Sequence, residues 1–288
     1  MAVKFFGQFL VEKGAVSPEK LLEAIDLQDR TNLKFGEVAM TLGFLREADV
    51  ERIHDAQRTE DLRFGDMAVK LGLLTAEQMQ QIFTWQKNNH LYIGEALVKV
   101  GALEQARVSV LLEEFKADQA PYLAGQVVMP VGVSNPQVWE MAADLTFKML
   151  TRVANLSFRP GPCVLTQTLD AKHLAAAMGF SGSLSGRYLL SVSRGVQQAI
   201  ARAILKEGDV AGEPKEVLDD TVMEFINIVC GNVAAKGAQL GHTLDIDPPV
   251  IFAENHQQIS VPPQYVALSF PLYFADGEEA ELSLWIAR

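Results

Sequence analysis

The chain has 288 residues, of which 49 % are hydrophobic and 21 % are charged. This composition is typical of a globular protein, and the length favours two domains. Its net charge is −11, with acidic residues in both halves. Composition therefore argues against a basic nucleic-acid-binding protein and against attachment to anionic membranes through a basic patch.

No apolar run reaches the roughly 20 residues of a membrane-spanning helix. The start has no signal-peptide hydrophobic region, so we expect a cytoplasmic protein without membrane insertion. The two cysteines, Cys163 and Cys230, lie far apart, and the five histidines are scattered. We therefore predict no disulfide framework, no metal site and no cofactor of its own.

Glycines and glutamines recur every 29 residues in the first part of the chain. The first column is Gly7, Gly36, Gly65 and Gly94, the second is Gly14, Gly43, Gly72 and Gly101, and the third is Gln28, Gln57 and Gln86, with Phe115 in the fourth place. Three columns in one register predict four repeat units over residues 1–118.

Each unit is predicted to form two short helices. The first contains a Gly-x-x-apolar-apolar pattern, as in Gly36–Met40, and ends at the second glycine through a left-handed conformation. The second opens at a capping residue such as Ser17 or Thr75 and then shows apolar residues at helical spacing.

These repeats resemble the N-terminal MshEN-type domain of type II secretion and pilus ATPases. That family's pattern is Arg-Leu-Gly, a second glycine, two apolar residues and a terminal glutamine. Unit three matches it with Arg63-Phe64-Gly65, Gly72 and Gln86, and unit two with Lys34-Phe35-Gly36, Gly43 and Gln57. Phe5 and Tyr92 replace the basic residue in units one and four.

The resemblance implies binding of cyclic di-GMP across units two and three. Lys34 and Arg63 would pair with its phosphates, and Gln57 and Gln86 would hydrogen-bond guanine edges. The alternative is that the repeated glycines and apolar residues only build a helical scaffold.

Prolines and glycines interrupt the repeats, and they predict a linker at residues 119–134 before a second domain at 135–288. Helices are predicted at Val138–Ala154, Gly195–Lys206 and Glu216–Leu240, and strands at Cys163–Leu169, Gly182–Ser193, Val250–Phe252, Gln264–Ala275 and Ala280–Ala287. Asp276-Gly277 predicts a hairpin turn between the last two strands. The whole chain is therefore predicted to be α+β, with helical repeats followed by long helices on a largely antiparallel sheet.

One predicted helix carries Asp220, Glu224, Asn227 and Gly231 at steps of four, three and four residues. This spacing places them on a single helical face. Since apolar residues surround Asn227 in the sequence, the helix must either bond these polar groups internally or present them to a partner.

The second domain resembles the CheX/CheC/FliY family of chemotaxis phosphatases over about residues 135–288. The family signature is Asp or Ser, three residues, Glu, two residues, Asn and a proline some twenty residues later. It stands here as Asp220, Glu224 and Asn227, followed by Pro248 and Pro249. Gly231-Asn232 is also typical of the family.

The resemblance implies a phosphatase that acts on the phospho-aspartate of a CheY-like response regulator. Asn227 would hold a water in line with phosphorus, and Glu224 would contact the regulator's lysine, while the regulator would supply magnesium. Asp220, Gly231 and Asn232 would support these two residues. On the first long helix, Ala143 replaces the second asparagine after Glu140, so we expect one active site.

Several alternatives stay open from the residues alone. Asp220 could favour the start of the helix electrostatically, Asn232 could be a structural hydrogen-bonder, and Gly231 could allow close helix–sheet approach. CheX-type proteins dimerise, which implies a homodimer, and Ala280–Ala287 is expected to be an edge strand able to pair between subunits. The rival to the enzyme is a non-enzymatic adaptor, a cyclic di-GMP receptor that only binds a receiver domain.

Overall fold

The computed structural model describes residues 4–120 and 129–288, and the chain divides into two compact units, Met1–Leu123 and Ala124–Arg288. The predicted linker 119–134 lies partly outside the described residues, because 121–128 are not among them. The proposed domain limits at 118 and 135 therefore stay predictions. The architecture is α+β, as predicted, with helices first and a sheet domain after them.

The first compact unit, Met1–Leu123, consists of short helices in pairs. In its described part these are α1 Phe6–Glu12, α2 Pro18–Thr31, α3 Phe35–Thr41, α4 Glu47–Gln57, α5 Phe64–Lys70, α6 Ala76–Asn89, α7 Ile93–Lys99 and α8 Gln105–Gln119. Each helix begins 29 residues after its counterpart in the preceding repeat unit, so the prediction of four two-helix repeat units is confirmed.

The two glycine columns serve different purposes. The second column ends each first helix in the left-handed region, as Gly72 does with φ +68°. The first column allows close packing, since a Cβ on Gly94 would stand 2.7 Å from Cγ1 of Val108. Both properties favour glycine for steric reasons.

The units pair by nesting, with unit one against unit four and unit two against unit three. One apolar core joins Phe6, Phe9, Leu10, Val16 and Ala24 to Leu91, Ala96, Leu97, Leu111 and Phe115. The other joins Val38, Ala39, Leu45 and Ile53 to Met67, Ala68, Leu74 and Ile82. Neither pair has a complete core without both of its units.

The repeated glutamines bond between units. Gln57 Nε2 donates to the carbonyl of Leu62 at 2.7 Å, and Gln86 Nε2 donates to the carbonyl of Leu33 at 3.0 Å. Leu33 and Leu62 hold the same position, just before the first helix of units two and three. Units two and three therefore make the same bond to each other in both directions, so they are related by an approximate two-fold symmetry. Gln28 makes the same bond to Leu91 of unit four, at 3.0 Å.

The second unit packs three helices against an antiparallel sheet. The helices are α9 Pro136–Arg152, α10 Arg194–Leu205 and α11 Lys215–Gln239. The strands are β1 Phe158–Pro160, β2 Val164–Thr166, β3 Thr168–Asp170, β4 Leu174–Gly182, β5 Gly186–Val192, β6 Leu244–Ile246, β7 Val250–Glu254, β8 Gln258–Ser260, β9 Tyr265–Phe274 and β10 Glu279–Ala287. The main sheet has the order β1-β9-β10-β5-β4-β6, with β2 on β9 and β7 on β4, while β3 and β8 form a small second sheet.

Apolar side chains cover both faces of the main sheet. On β4, Ala176 and Met178 join the core that contains the helices. Ala175 and Ala177 point the other way, into a second cluster with Leu169 of β3. Alternate residues of one strand therefore enter different cores, as strand geometry requires. The helices rest on a sheet that is buried on its far side too.

One expectation about the strands was wrong, and one long strand was not predicted. Ala280–Ala287 lies on β10, in the middle of the sheet, where it pairs with β9 on one side and β5 on the other. It is not an edge strand, so it has no free edge for another subunit. Strand β4, which the sequence did not predict, begins in an alanine run without the β-branched residues typical of strands. The turn at Asp276-Gly277 is confirmed, with Gly277 at φ +85°.

Candidate functional site

Helix α11 exposes one stripe of its surface and buries the opposite side. Its buried residues include Val222, Phe225, Ile226, Val229 and Cys230. They belong to the core between the helices and the main sheet. Asp220, Glu224, Asn227 and Gly231 all lie on the exposed face. The burial of the intervening apolar residues therefore orients these four positions outward.

The polar side chains of this stripe have no bonding partner in the described part of the chain. Among the described residues, those of Asp220, Glu224 and Asn227 make no hydrogen bond or salt bridge. An exposed carboxylate and carboxamide can offer water or a partner their full bonding capacity. The internal bonding that the sequence left open is therefore absent among the described residues, and all three side chains are exposed.

A buried carboxylate next to the stripe fixes the first turns of α11. Asp219 Oδ1 accepts from Gln197 Nε2 of α10 at 2.7 Å, and Oδ2 accepts from Lys215 Nζ at 2.6 Å. Lys215 also donates to Glu254 of β7 at 2.7 Å. These bonds, from Asp219 and then Glu254, raise the pKa of Lys215. They tie α11 to a neighbouring helix and strand, and sequence reasoning missed all of them.

Gly231 and Asn232 occupy opposite environments. Asn232 is buried and donates to the carbonyl of Ile228 at 2.9 Å. The expectation that Gly231 permits close helix–sheet approach was wrong, because a Cβ there would meet no atom within 4 Å. Gly237 has that function instead, since its Cβ would stand 3.0 Å from Cδ1 of Leu244.

The first long helix presents no equivalent pair. On α9, Glu140 is exposed, but Ala143 is buried and has no polar side chain. Only α11 therefore combines an exposed Glu with an exposed Asn at this spacing among the three described helices of the second unit.

In the repeats, the predicted cations and glutamines are placed differently. Lys34 and Arg63 are exposed and stand directly before α3 and α5. The rings that follow them, Phe35 and Phe64, lie 5.7 Å apart. Gln57 is buried, and both it and Gln86 use an amide donor on a backbone carbonyl. Contact of these four residues with a nucleotide stays a prediction.

Residues 174–272 match the family model of the chemotaxis phosphatase CheX. This CheX-matched segment runs from β4 into β9 and contains the whole of α11, including Glu224 and Asn227. A search of curated proteins gave no match.

Solved structures similar to the chain cover about half of it and nearly all of each relative. A chemotaxis protein CheX from Desulfovibrio desulfuricans has 18 % identity and a TM-score of 0.47, covering 52 % of this chain and 99 % of its own. CheX from Borrelia burgdorferi, crystallised with CheY, BeF3 and Mg, has 24 % identity and a TM-score of 0.46. It covers 52 % of this chain and 98 % of its own. FliY from Thermotoga maritima has 14 % identity and a TM-score of 0.34, covering 54 % of this chain and 92 % of its own.

Two features are absent from the described residues. No helix there is long and apolar enough to cross a membrane. No group of three or more His, Cys, Asp or Glu side chains in that part of the chain is arranged to hold a metal ion.

Proposed function

We propose that the second unit dephosphorylates the phospho-aspartate of a CheY-like response regulator. The observation that carries this proposal is the pair Glu224 and Asn227, both exposed and neither bonded to another side chain among the described residues. The pair lies inside the segment that matches the CheX family. A polar pair that the fold does not use is well placed to serve a partner.

The chemistry requires positioning more than covalent catalysis. An aspartyl phosphate is already reactive, so hydrolysis needs a water held in line with the bond that breaks. The water oxygen bonds to phosphorus while the bond between phosphorus and the aspartyl oxygen breaks. The products are inorganic phosphate and the restored carboxylate. The carboxamide of Asn227, with one acceptor and two donors, can hold that water.

Glu224 lies three residues before Asn227 on the same face and would bind the active-site lysine of the regulator. Such a contact between opposite charges fixes the docking orientation and suppresses wrong partners. Magnesium belongs to the partner in this mechanism, as a CheX–CheY complex from Borrelia burgdorferi containing BeF3 and Mg suggests by analogy.

The decisive assay is phosphate release from a phosphorylated receiver domain, with wild type and Asn227→Ala. Gln239→Ala is the matched control, because it removes an exposed amide at the far end of the same helix. We expect wild type and control to accelerate release, and Asn227→Ala to be slower by at least about a hundredfold. Binding of the receiver should be nearly unchanged.

Two outcomes would overturn this assignment. If Asn227→Ala loses affinity as much as rate, the residue binds the partner and does not position water. If wild type accelerates release from none of several receivers while still binding them, the second unit is an adaptor.

The homodimer stays a prediction, and sedimentation equilibrium of the full chain would test it.

A second candidate concerns the first unit, as a sensory or docking module that binds cyclic di-GMP. The favouring observation is the approximate two-fold relation of units two and three, which brings Phe35 and Phe64 together directly after Lys34 and Arg63. A ligand with two equivalent phosphates matches two equivalent cations. Calorimetry with wild type and Arg63→Ala tests this, and a wild type without measurable affinity refutes it.

A further inference from the structure

Gly231 lies deep inside α11, with sixteen residues of the helix before it and eight after it. Glycine is less favourable than alanine in a helix interior, because it loses more conformational freedom when the helix forms. A glycine at this position therefore requires a reason from packing, backbone conformation or function.

The fold of the described residues gives neither of the first two reasons. Gly231 is not among the residues with positive φ. A Cβ on it would meet nothing within 4 Å, whereas one on Gly237 of the same helix would press against Leu244. A Cβ at 231 would therefore project into open space among the described residues.

The position of Gly231 relative to the site supplies the third reason. It follows Asn227 by one helical turn on the exposed face, and Ala235 extends that face by another turn. The long side chain of Glu224 lies on the other side of Asn227. The site therefore has a charged half and a half that is almost bare backbone, with the carboxamide at their border.

We propose that Gly231 is a specificity-determining residue, which lets the backbone around a receiver's phospho-aspartate approach α11 closely. This rests on the function proposed above. Asn has a short side chain, so its amide reaches a recessed acyl phosphate only if the helix surface itself comes close. A longer side chain one turn away would hold the two surfaces apart.

The test compares Gly231→Ala and Gly231→Leu with Ala238→Leu, which adds similar bulk seven residues further along the exposed face. Both substitutions at 231 introduce better helix formers, so the fold is retained and thermal stability should rise. Circular dichroism checks the helix. Affinity is measured for a receiver held in its beryllofluoride form, and phosphate release is measured in parallel.

We expect wild type and Ala238→Leu to bind alike and Gly231→Ala to bind more weakly. Gly231→Leu should lose about tenfold or more, as expected where an added side chain cannot be accommodated. If wild type accelerates phosphate release and Gly231→Leu binds as Ala238→Leu does, the role of Gly231 is overturned and the phosphatase stands. If wild type neither binds nor accelerates, the proposed function fails, and the role of Gly231 fails with it.

Discussion

Removing the buried carboxylate of Asp219 should loosen the helix that carries the site. In Asp219→Ala the amide of Gln197, which is 1 % exposed, loses its acceptor. A buried polar group left unsatisfied costs about 1–3 kcal/mol. The lost ion pair with Lys215 adds at most about 1 kcal/mol, because the lysine side chain is largely exposed. We therefore expect a loss of about 1–4 kcal/mol.

Two further variants separate these contributions. Asp219→Asn keeps an oxygen that can accept from Gln197, removes the charge and replaces the oxygen that accepts from Lys215 with an amide donor, from which the largely exposed lysine can turn away. It should cost less than about 1 kcal/mol. Asp220→Ala is the matched control, since it removes a neighbouring carboxylate that is exposed and unbonded among the described residues. It should stay within about 0.5 kcal/mol of wild type.

Hydrogen exchange of the α11 amides in the full chain is the appropriate measurement, because it reports local opening free energies. A chain with two compact units need not unfold in one step, so a single global midpoint would mix their responses. Protection in the first turns of α11 should fall strongly in Asp219→Ala alone. The reasoning is refuted if Asp219→Ala behaves as Asp220→Ala does, or if Asp219→Asn is as damaging as Asp219→Ala.

Three other predictions concern different parts of the molecule. Burial raises the pKa of the Glu281 carboxyl, so this group's stability contribution is complete below its unfolded pKa and is lost as pH rises through the folded one. Glu281→Gln should therefore melt higher than wild type at neutral pH, and a gap that does not close in acid would contradict this. Gly72→Ala should destabilise the first unit by about 1 kcal/mol, because its φ of +68° disfavours a side chain; unchanged hydrogen-exchange protection of that unit's amides would refute this. Glu224→Gln should weaken receiver binding and flatten its salt dependence, and equal salt slopes for both proteins would exclude the charge contact.

The repeats were predictable because each unit repeats the same local signals. The glycine register located the first helices, and the structure begins them at Phe6, Phe35, Phe64 and Ile93. The nesting of unit one with unit four was not predictable, because local periodicity shows that a helix has an apolar face but not which face covers it. The inter-unit bond of Gln28 to Leu91 depends on that nesting.

The sheet was harder to predict, because its polar residues are buried. Strand β10, which was expected to be an edge strand, contains the polar residues Glu281 and Ser283. In the structure Ser269 donates to Glu281 at 2.7 Å and Ser283 donates to the carbonyl of Leu268 at 3.1 Å, so both are satisfied within the sheet. Only the neighbouring strand reveals such a partner, and sequence alone does not give the strand order.

In the candidate site, helical spacing was sufficient to place Asp220, Glu224 and Asn227 on one face. It was insufficient to separate the adjacent aspartates, because the burial of Asp219 depends on Gln197 from another helix. The misreading of Gly231 has the same origin. A glycine in a helix indicates that something requires it, and only the surrounding atoms show whether that is the fold or a partner.

The nesting of the repeats also sets an order of events during synthesis on the ribosome. Units two and three are consecutive, so their core can close as soon as unit three has emerged. Unit one must wait with Phe6, Phe9 and Leu10 uncovered until unit four has been made, since its core lies there. Closing that longer loop carries a higher entropic cost. A nascent chain stalled before unit four would therefore expose the apolar residues of unit one, while units two and three are already folded. A chaperone would be needed at those exposed residues.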